Sequence, residues 1–355
     1  MKKTNKLLLA SALLVAGSLV SCGGSSEKEA RIALGYSISW EGYKYNNPES
    51  NKLNNLATFN VAAVAFDKDG KIVDCRFDSQ QIYLDYNAAG ETDAEKYTAK
   101  NRVDGQVKSK LELGKDYNMH LVGVKDGATL SSAGEVDTQI EAFADFCVGK
   151  TVEQVKQAET VSGVTISFDM YQDALDNAAL ASKTRDLVKY TGDLKVGVGM
   201  SNGDVGVSYG ALEISTHFAA AAVADGKVVA SFTDAGVVQL NATPEEVTVG
   251  ESTGNLFTEL TTSKYYVSEK WTSKFDLHAD YAMKVGSDNH GSDLAEWDEQ
   301  AESFDAYCVG KTATQIAAIE ELTAAEGVTI YIGDLVQAVS EAAEYAVKDH
   351  VGPQW

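Results

Sequence analysis

Proline is scarce, three in 355 residues, beside only four cysteines and five histidines. So few breakers exclude a Pro-rich linker or a low-complexity chain. Basic residues are short as well, with 30 Lys and Arg against 52 Asp and Glu and a net charge of −22. A surface of that sign repels nucleic acid phosphates and anionic lipid head groups, which excludes both as electrostatic partners. His120, His217, His278, His290 and His350 show no metal-ligand spacing. No acidic run follows the calcium-loop order, and the nearest, "DKDG" at Asp67 to Gly70, is better explained by a hairpin turn. No metal site is expected. The long apolar run from Leu7 to Val20 is too short to cross a bilayer comfortably.

That run has the flanks of a secretory signal: Lys2, Lys3 and Lys6 before it and "LVSC" at Leu19 to Cys22 at its end. The closing residues resemble the lipobox of bacterial lipoproteins, which implies cleavage before Cys22 and a diacylglycerol on its sulfur. Residues 1–21 are then a signal peptide and residues 22–29 a flexible tether. The protein is expected outside the cytoplasm, held to the bacterial cell membrane by lipidated Cys22. An ordinary secreted protein that discards Cys22 is the alternative. With Cys22 lipidated, Cys75, Cys147 and Cys308 permit at most one disulfide. Cys147 and Cys308 stand among aromatic and aliphatic neighbours, the setting of a small buried hydrophobe.

The rest of the chain reads as two versions of one text. "LGYS" at Leu34 to Ser37 matches "VGMS" at Val198 to Ser201, and "DGKIV" at Asp69 to Val73 matches "DGKVV" at Asp225 to Val229. "DYNM" at Asp116 to Met119 matches "DYAM" at Asp280 to Met283, and "GVTI" occurs at Gly163 to Ile166 and again at Gly327 to Ile330. A period of roughly 160 residues is a domain duplication, each copy being long enough to bury its own core. The expected division is a module over 30–181, a linker over 182–192 and a second module over 193–355.

Each module opens with strands. "FNVAAVAFDKDGKIVDCRFD" and "HFAAAAVADGKVVASFTD" turn back at Asp-Gly pairs, a strong hairpin signal. Helical periodicity follows, with Ile140, Phe143, Phe146 and Cys147 sharing one face. A β-branched strand, "VTISF" or "VTIYI", and a closing helix complete the pattern, an α+β class with a largely antiparallel sheet.

"FCVGKT" at Phe146 to Thr151 and "YCVGKT" at Tyr307 to Thr312 have the letters of half a phosphate-binding loop. That loop needs a glycine five positions before its Gly-Lys pair, where this chain has Ala144 and Asp305. The motif reads instead as a corner: Gly149 and Gly310 end a helix in the left-handed conformation, and Thr151 with Gln154, like Thr312 with Gln315, has capping-box spacing. "GVSYG" around Ser208 imitates a hydrolase elbow but precedes a strand, and "GVGMSNG" at Gly197 to Gly203 imitates a dinucleotide turn but precedes no helix. Both are expected to be hairpin turns. No catalytic residue is assigned.

The strand with "DGKIV", the "SK...DYNM" segment, "EWxEQ" at Glu296 to Gln300, "VGKT" and "VTI" together resemble tandem-module bacterial lipoproteins related to the FMN-binding domain. The resemblance implies two FMN-binding-domain-like modules and extracytoplasmic electron transfer. In that family the flavin is joined through its phosphate to the threonine of a Ser/Thr-Gly-Ala-Thr motif by a flavin transferase. Here Asp126, Gly127, Ala128 and Thr129 align with it, Thr129 being the implied attachment point and Asp126 standing where the family has a hydroxyl residue. Ser131 or Ser132 has the chemistry to cap the helix that follows. A flavin-carrying electron carrier with a redox partner, rather than an enzyme, is the first expectation. The second is a non-enzymatic surface ligand-binding or scaffolding lipoprotein that presents Trp40, Tyr43 and Tyr45 from a loop.

Overall fold

Alternating apolar positions and tight turns set the strands, seen in a computed structural model that describes residues 27–47, 50–100, 107–117, 119, 134–249, 252–283, 295–323 and 326–348. The first sheet is built from β1 (Lys28–Asn47), β2 (Ser50–Phe66), β3 (Ile72–Tyr86) and, after α1 (Asp93–Lys96), β4 (Tyr97–Lys100). Then come α2 (Lys110–Leu113), a 3-10 turn (Gly114–Tyr117), α3 (Val136–Cys147), α4 (Val152–Lys156) and α5 (Asp169–Ser182). β5 (Val188–Tyr190) returns to pair with the first residues of β1, so the segment expected as a linker contributes a strand. The sheet order is β4-β3-β2-β1-β5, antiparallel throughout.

The second sheet centres on β8 (Ala211–Ala224), which pairs antiparallel with β6 (Leu194–Met200), β7 (Asp204–Ser208) and β9 (Lys227–Asn241). Two small hairpins follow, β10 (Glu245–Val249) with β11 (Ser252–Leu256) and β12 (Tyr266–Val267) with β13 (Lys270–Trp271). The chain then forms α6 (Lys274–Leu277), a 3-10 turn (His278–Tyr281), α7 (Trp297–Cys308), α8 (Ala313–Ala317) and α9 (Gly333–Val347). The class is α+β with mainly antiparallel sheets.

Four layers result: helices, sheet, sheet, helices. One core lies between the sheets, where Ile32, Phe59, Val61 and Ile82 meet Val196, Leu212, Ile214 and Phe218. β2 lies over β8, β3 over β6 and β1 over β9. A second core joins the outer face of the first sheet to α3 and α5, and a third joins the second sheet to α7 and α9. The expectation that each half buries a core of its own is therefore incomplete, because the inner face of each sheet is covered by the other. Polar contacts cross the same interface: Val196 N–H donates to Asp74 Oδ2 at 2.8 Å and Gln80 Nε2 to the Ser201 carbonyl at 2.9 Å.

Local chemistry explains where sequence expectations held and failed. Gly149 and Gly310 take φ of 81° and 84°, and Thr151 and Thr312 each complete a capping box. Ser208 ends β7 before the two-residue Tyr209-Gly210 turn, whose positive φ values make an ordinary hairpin. "GVGMSNG" is not a hairpin turn: β6 and β7 both run antiparallel to β8, so Ser201 to Gly203 is a break within one strand direction. Trp40, Tyr43 and Tyr45 belong to β1, not to a loop, and Trp40 packs against the intersheet core. The "VTI" segments are not strands. Among the described residues no strand pairs with them; instead Gln139 Oε1 accepts from the N–H groups of Thr165 and Ile166, and Gln300 Oε1 does so from Thr329 and Ile330. A single carboxamide replaces the missing ladder. Cys75, Cys147 and Cys308 are free and buried.

Candidate functional site

The connection from the first 3-10 turn to α3 carries Asp126, Gly127, Ala128 and Thr129, which lie outside the described residues, as do Cys22, Ser131 and Ser132. The N-cap position of α3 is Glu135. What the structure places is the surface from which this connection departs.

Strand alternation puts Thr58 and Asn60 of β2 and Ser79 and Gln81 of β3 on one face, with Thr58 opposite Gln81 and Asn60 opposite Ser79. Further along, the same face is apolar and lies under the helices through Ala62, Val64, Cys75 and Phe77. Tyr117, at the end of the 3-10 turn, donates to Gln81 Oε1 at 2.9 Å. The N-terminal turn of α5 adds Met170, whose sulfur lies 3.4 Å from Asn60 Nδ2 and 4.0 Å from Ser39 Oγ, and Tyr171. The hydroxyls of Thr58, Ser79 and Tyr171 are buried and meet no hydrogen-bond partner of standard geometry among the described residues. The neighbouring Ser79 hydroxyl acts on Tyr171 in the direction that lowers its pKa. Burial dominates and pushes the Tyr171 phenol well up.

Asp78 holds the wall of this site in place. Its Oδ1 accepts from the N–H groups of Ser79 at 2.7 Å and Leu111 at 3.0 Å, which ties α2 to β3 and positions Tyr117 beyond it. Burial raises its carboxyl to about 7 against those hydrogen bonds. Asp234 makes the matching contacts to Ala235 and Phe275 in the second sheet and is raised by burial to about 8.

Sequence reasoning singled out the connection and passed over the polar positions of β2 and β3. The signal was present as Thr58, Asn60, Ser79 and Gln81, polar residues at alternate positions of otherwise apolar strands. Among the described residues no group of three or more His, Cys, Asp or Glu side chains has metal-binding geometry, and no helix is long and apolar enough to cross a membrane. A separate open groove of about 1400 Å³ runs beside the unpaired edge of β1, between α4 and α5 on one side and Lys270 and Trp271 on the other.

No family model, curated protein or solved structure matches the chain.

Proposed function

We propose that this is a lipid-anchored extracytoplasmic flavin carrier made of two copies of one FMN-binding-domain-like module, with FMN joined through its phosphate to Thr129. The observation that carries the reading is the group of buried hydroxyls of Thr58, Ser79 and Tyr171, unpartnered among the described residues, on the face that holds Tyr117, where the connection bearing Thr129 begins. Buried polar groups left unpaired cost about 1–3 kcal/mol each, and the carbonyl and nitrogen edge of a flavin offers the partners they lack. Copying of one module is supported by the closing run of a short helix, a 3-10 turn and three further helices, which among the described residues follows the strands in both halves, and by the paired use of Gln139 and Gln300, Asp78 and Asp234, and Thr151 and Thr312. FMN, when bound, supplies reversible electron transfer, and the protein's part is to hold and orient it for a redox partner. The direct test is co-expression with a flavin transferase. A yellow product that keeps its fluorescence after denaturation, with the added mass on the peptide containing Thr129 and none in Thr129→Ala, is expected; a colourless product with that peptide unmodified rejects the assignment.

A second reading, a non-enzymatic surface protein that binds a ligand without flavin, is favoured by the open groove at the β1 edge. It predicts a ligand retained by flavin-free protein and lost on Arg31→Glu, which changes a charge lining that groove.

A further inference from the structure

The second sheet carries a different set of side chains where the first carries hydroxyls. His217 stands opposite Ala235, as Asn60 stands opposite Ser79. Asp334, the second residue of α9, takes the place that Met170 holds in α5, and its Oδ2 lies 3.5 Å from His217 Nδ1. Burial, then the charge of Lys274, pushes His217 down to about 3. The imidazole is therefore neutral at pH 7, and its contact with Asp334 is not an ion pair. Its ring lies against Trp297, with centroids 6.4 Å apart.

Lys274 sits among these groups. Its Nζ is 5.6 Å from the ring centroid of Tyr281 and 5.6 Å from that of Trp297, and it has no hydrogen bond or ion pair among the described residues. A largely buried ammonium held only by aromatic faces lacks the acceptor that its desolvation calls for. Lys264 flanks the same Tyr281 ring at 4.2 Å, but its Nζ already donates to the Tyr281 carbonyl at 2.9 Å. Glu213, Asp234 and Asp334 act on Lys274 from a distance, raising its pKa against the larger lowering by burial, and none of them touches it. Glu213 is itself engaged by Gln239. The lysine pair Lys274 and Lys264 and the carboxylate pair Glu213 and Asp334 thus share aromatic walls, with Glu296 also acting on Lys264 and Asp234 held largely protonated by burial. A simple anion would meet Glu213 and Asp334 in a chain of net charge −22, whereas a zwitterion offers a carboxylate to one pair and an ammonium to the other.

We infer that this cluster binds a free amino acid with an aromatic or large apolar side chain, its carboxylate on Lys274, its ammonium toward Glu213 and Asp334, and its side chain against Trp297 and Tyr281. The site is independent of flavin attachment at Thr129. Isothermal titration of the purified protein with L-phenylalanine, phenylacetate and phenethylamine tests it. L-phenylalanine is expected to bind most tightly, with Lys274→Met weakening it by about tenfold or more. Glu213→Gln, which keeps the side-chain shape, is expected to weaken L-phenylalanine and phenethylamine while sparing phenylacetate. Phenylacetate binding as tightly as L-phenylalanine, unchanged affinity in folded Lys274→Met and Glu213→Gln, or no heat from any of the three compounds at millimolar concentration overturns the assignment.

Discussion

Substituting Gly35 with alanine tests how the outer helix layer is seated. α5 lies so close to β1 that a Cβ at position 35 would come within 2.1 Å of the Ala174 carbonyl oxygen and 2.3 Å of the Ala178 nitrogen. Both atoms are backbone, so no side-chain rotation relieves the clash, and the helix has to move by about 1 Å to restore contact distance. Overpacking of this kind costs about 1–3 kcal/mol. The same movement breaks the hydrogen bond from Asn177 Nδ2 to the Tyr36 carbonyl, 2.7 Å long, for about another 1 kcal/mol. Gly35→Ala is therefore expected to destabilise by roughly 3 kcal/mol. Gly206→Ala is the control: nothing lies within 4 Å of its Cβ position, and a change within about 0.5 kcal/mol is expected. Urea unfolding followed by tryptophan fluorescence and far-UV circular dichroism measures both. A Gly35→Ala midpoint equal to that of Gly206→Ala would show that α5 does not rest on β1 at backbone distance.

Gln139→Leu leaves the N–H groups of Thr165 and Ile166 without their acceptor and is expected to cost about 2–4 kcal/mol, with faster amide exchange at those two residues; unchanged exchange there refutes the role given to the carboxamide. Stability is expected to fall as pH rises from 6.5 to 8.5. Burial raises Asp78 and Asp305 to about 7 and Asp234 to about 8, above an unfolded value near 3.9, so the folded chain retains protons that the unfolded chain has released. His217, held low by burial, opposes this trend only below about pH 6.5, where the unfolded imidazole protonates. Asp234→Asn should shrink the difference between urea midpoints at the two pH values, and equal wild-type midpoints would contradict the burial argument. Expressed separately, residues 27–191 and 193–355 would expose Phe59 and Val61 or Leu212 and Phe218, so self-association is expected; two folded monomers by size-exclusion chromatography and circular dichroism would show that the intersheet core is dispensable.

Local signals in the sequence were legible because local chemistry decides them. The Asp225-Gly226 turn, the glycines after α3 and α7 and the Thr–Gln capping boxes each depend on a few neighbouring residues. The "VTI" segments misled because β-branched composition is only a preference for extended backbone, and Gln139 and Gln300 satisfy that backbone without any strand. The length of β1 was hidden by "SWEGYKYNN", whose polar residues suit the far end of a long hairpin as well as a loop. Sheet-on-sheet packing was written in "NVAAVAF" and "FAAAAVA", where alternation gives way to continuous small apolar residues. Both faces of those strands are buried, one by helices and one by the other sheet, and an alternation test cannot see the second.

Comparison of matched positions separates what holds the fold from what can address a ligand. Residues that organise backbone are the same in both halves: the aspartates that clamp α2 and α6, the glutamines that pair with the "VTI" segments and the threonines that cap α4 and α8. Those clamps fix the strands and helices whose side chains project from the helix-covered faces. At the projecting positions the halves diverge, with Asn60 against His217 and Met170 against Asp334 on equivalent backbone. A change there leaves the clamps intact, so it alters the chemistry offered to a ligand without dismantling the sheet. A lysine lies over a tyrosine ring in both halves, Lys110 on Tyr117 and Lys274 on Tyr281, so the difference lies in the hydroxyls of the first half against His217, Asp334 and Trp297 in the second. Swapping His217 and Asp334 for the asparagine and methionine of the first half should weaken L-phenylalanine binding in the titration while the urea midpoint stays near that of the parent protein.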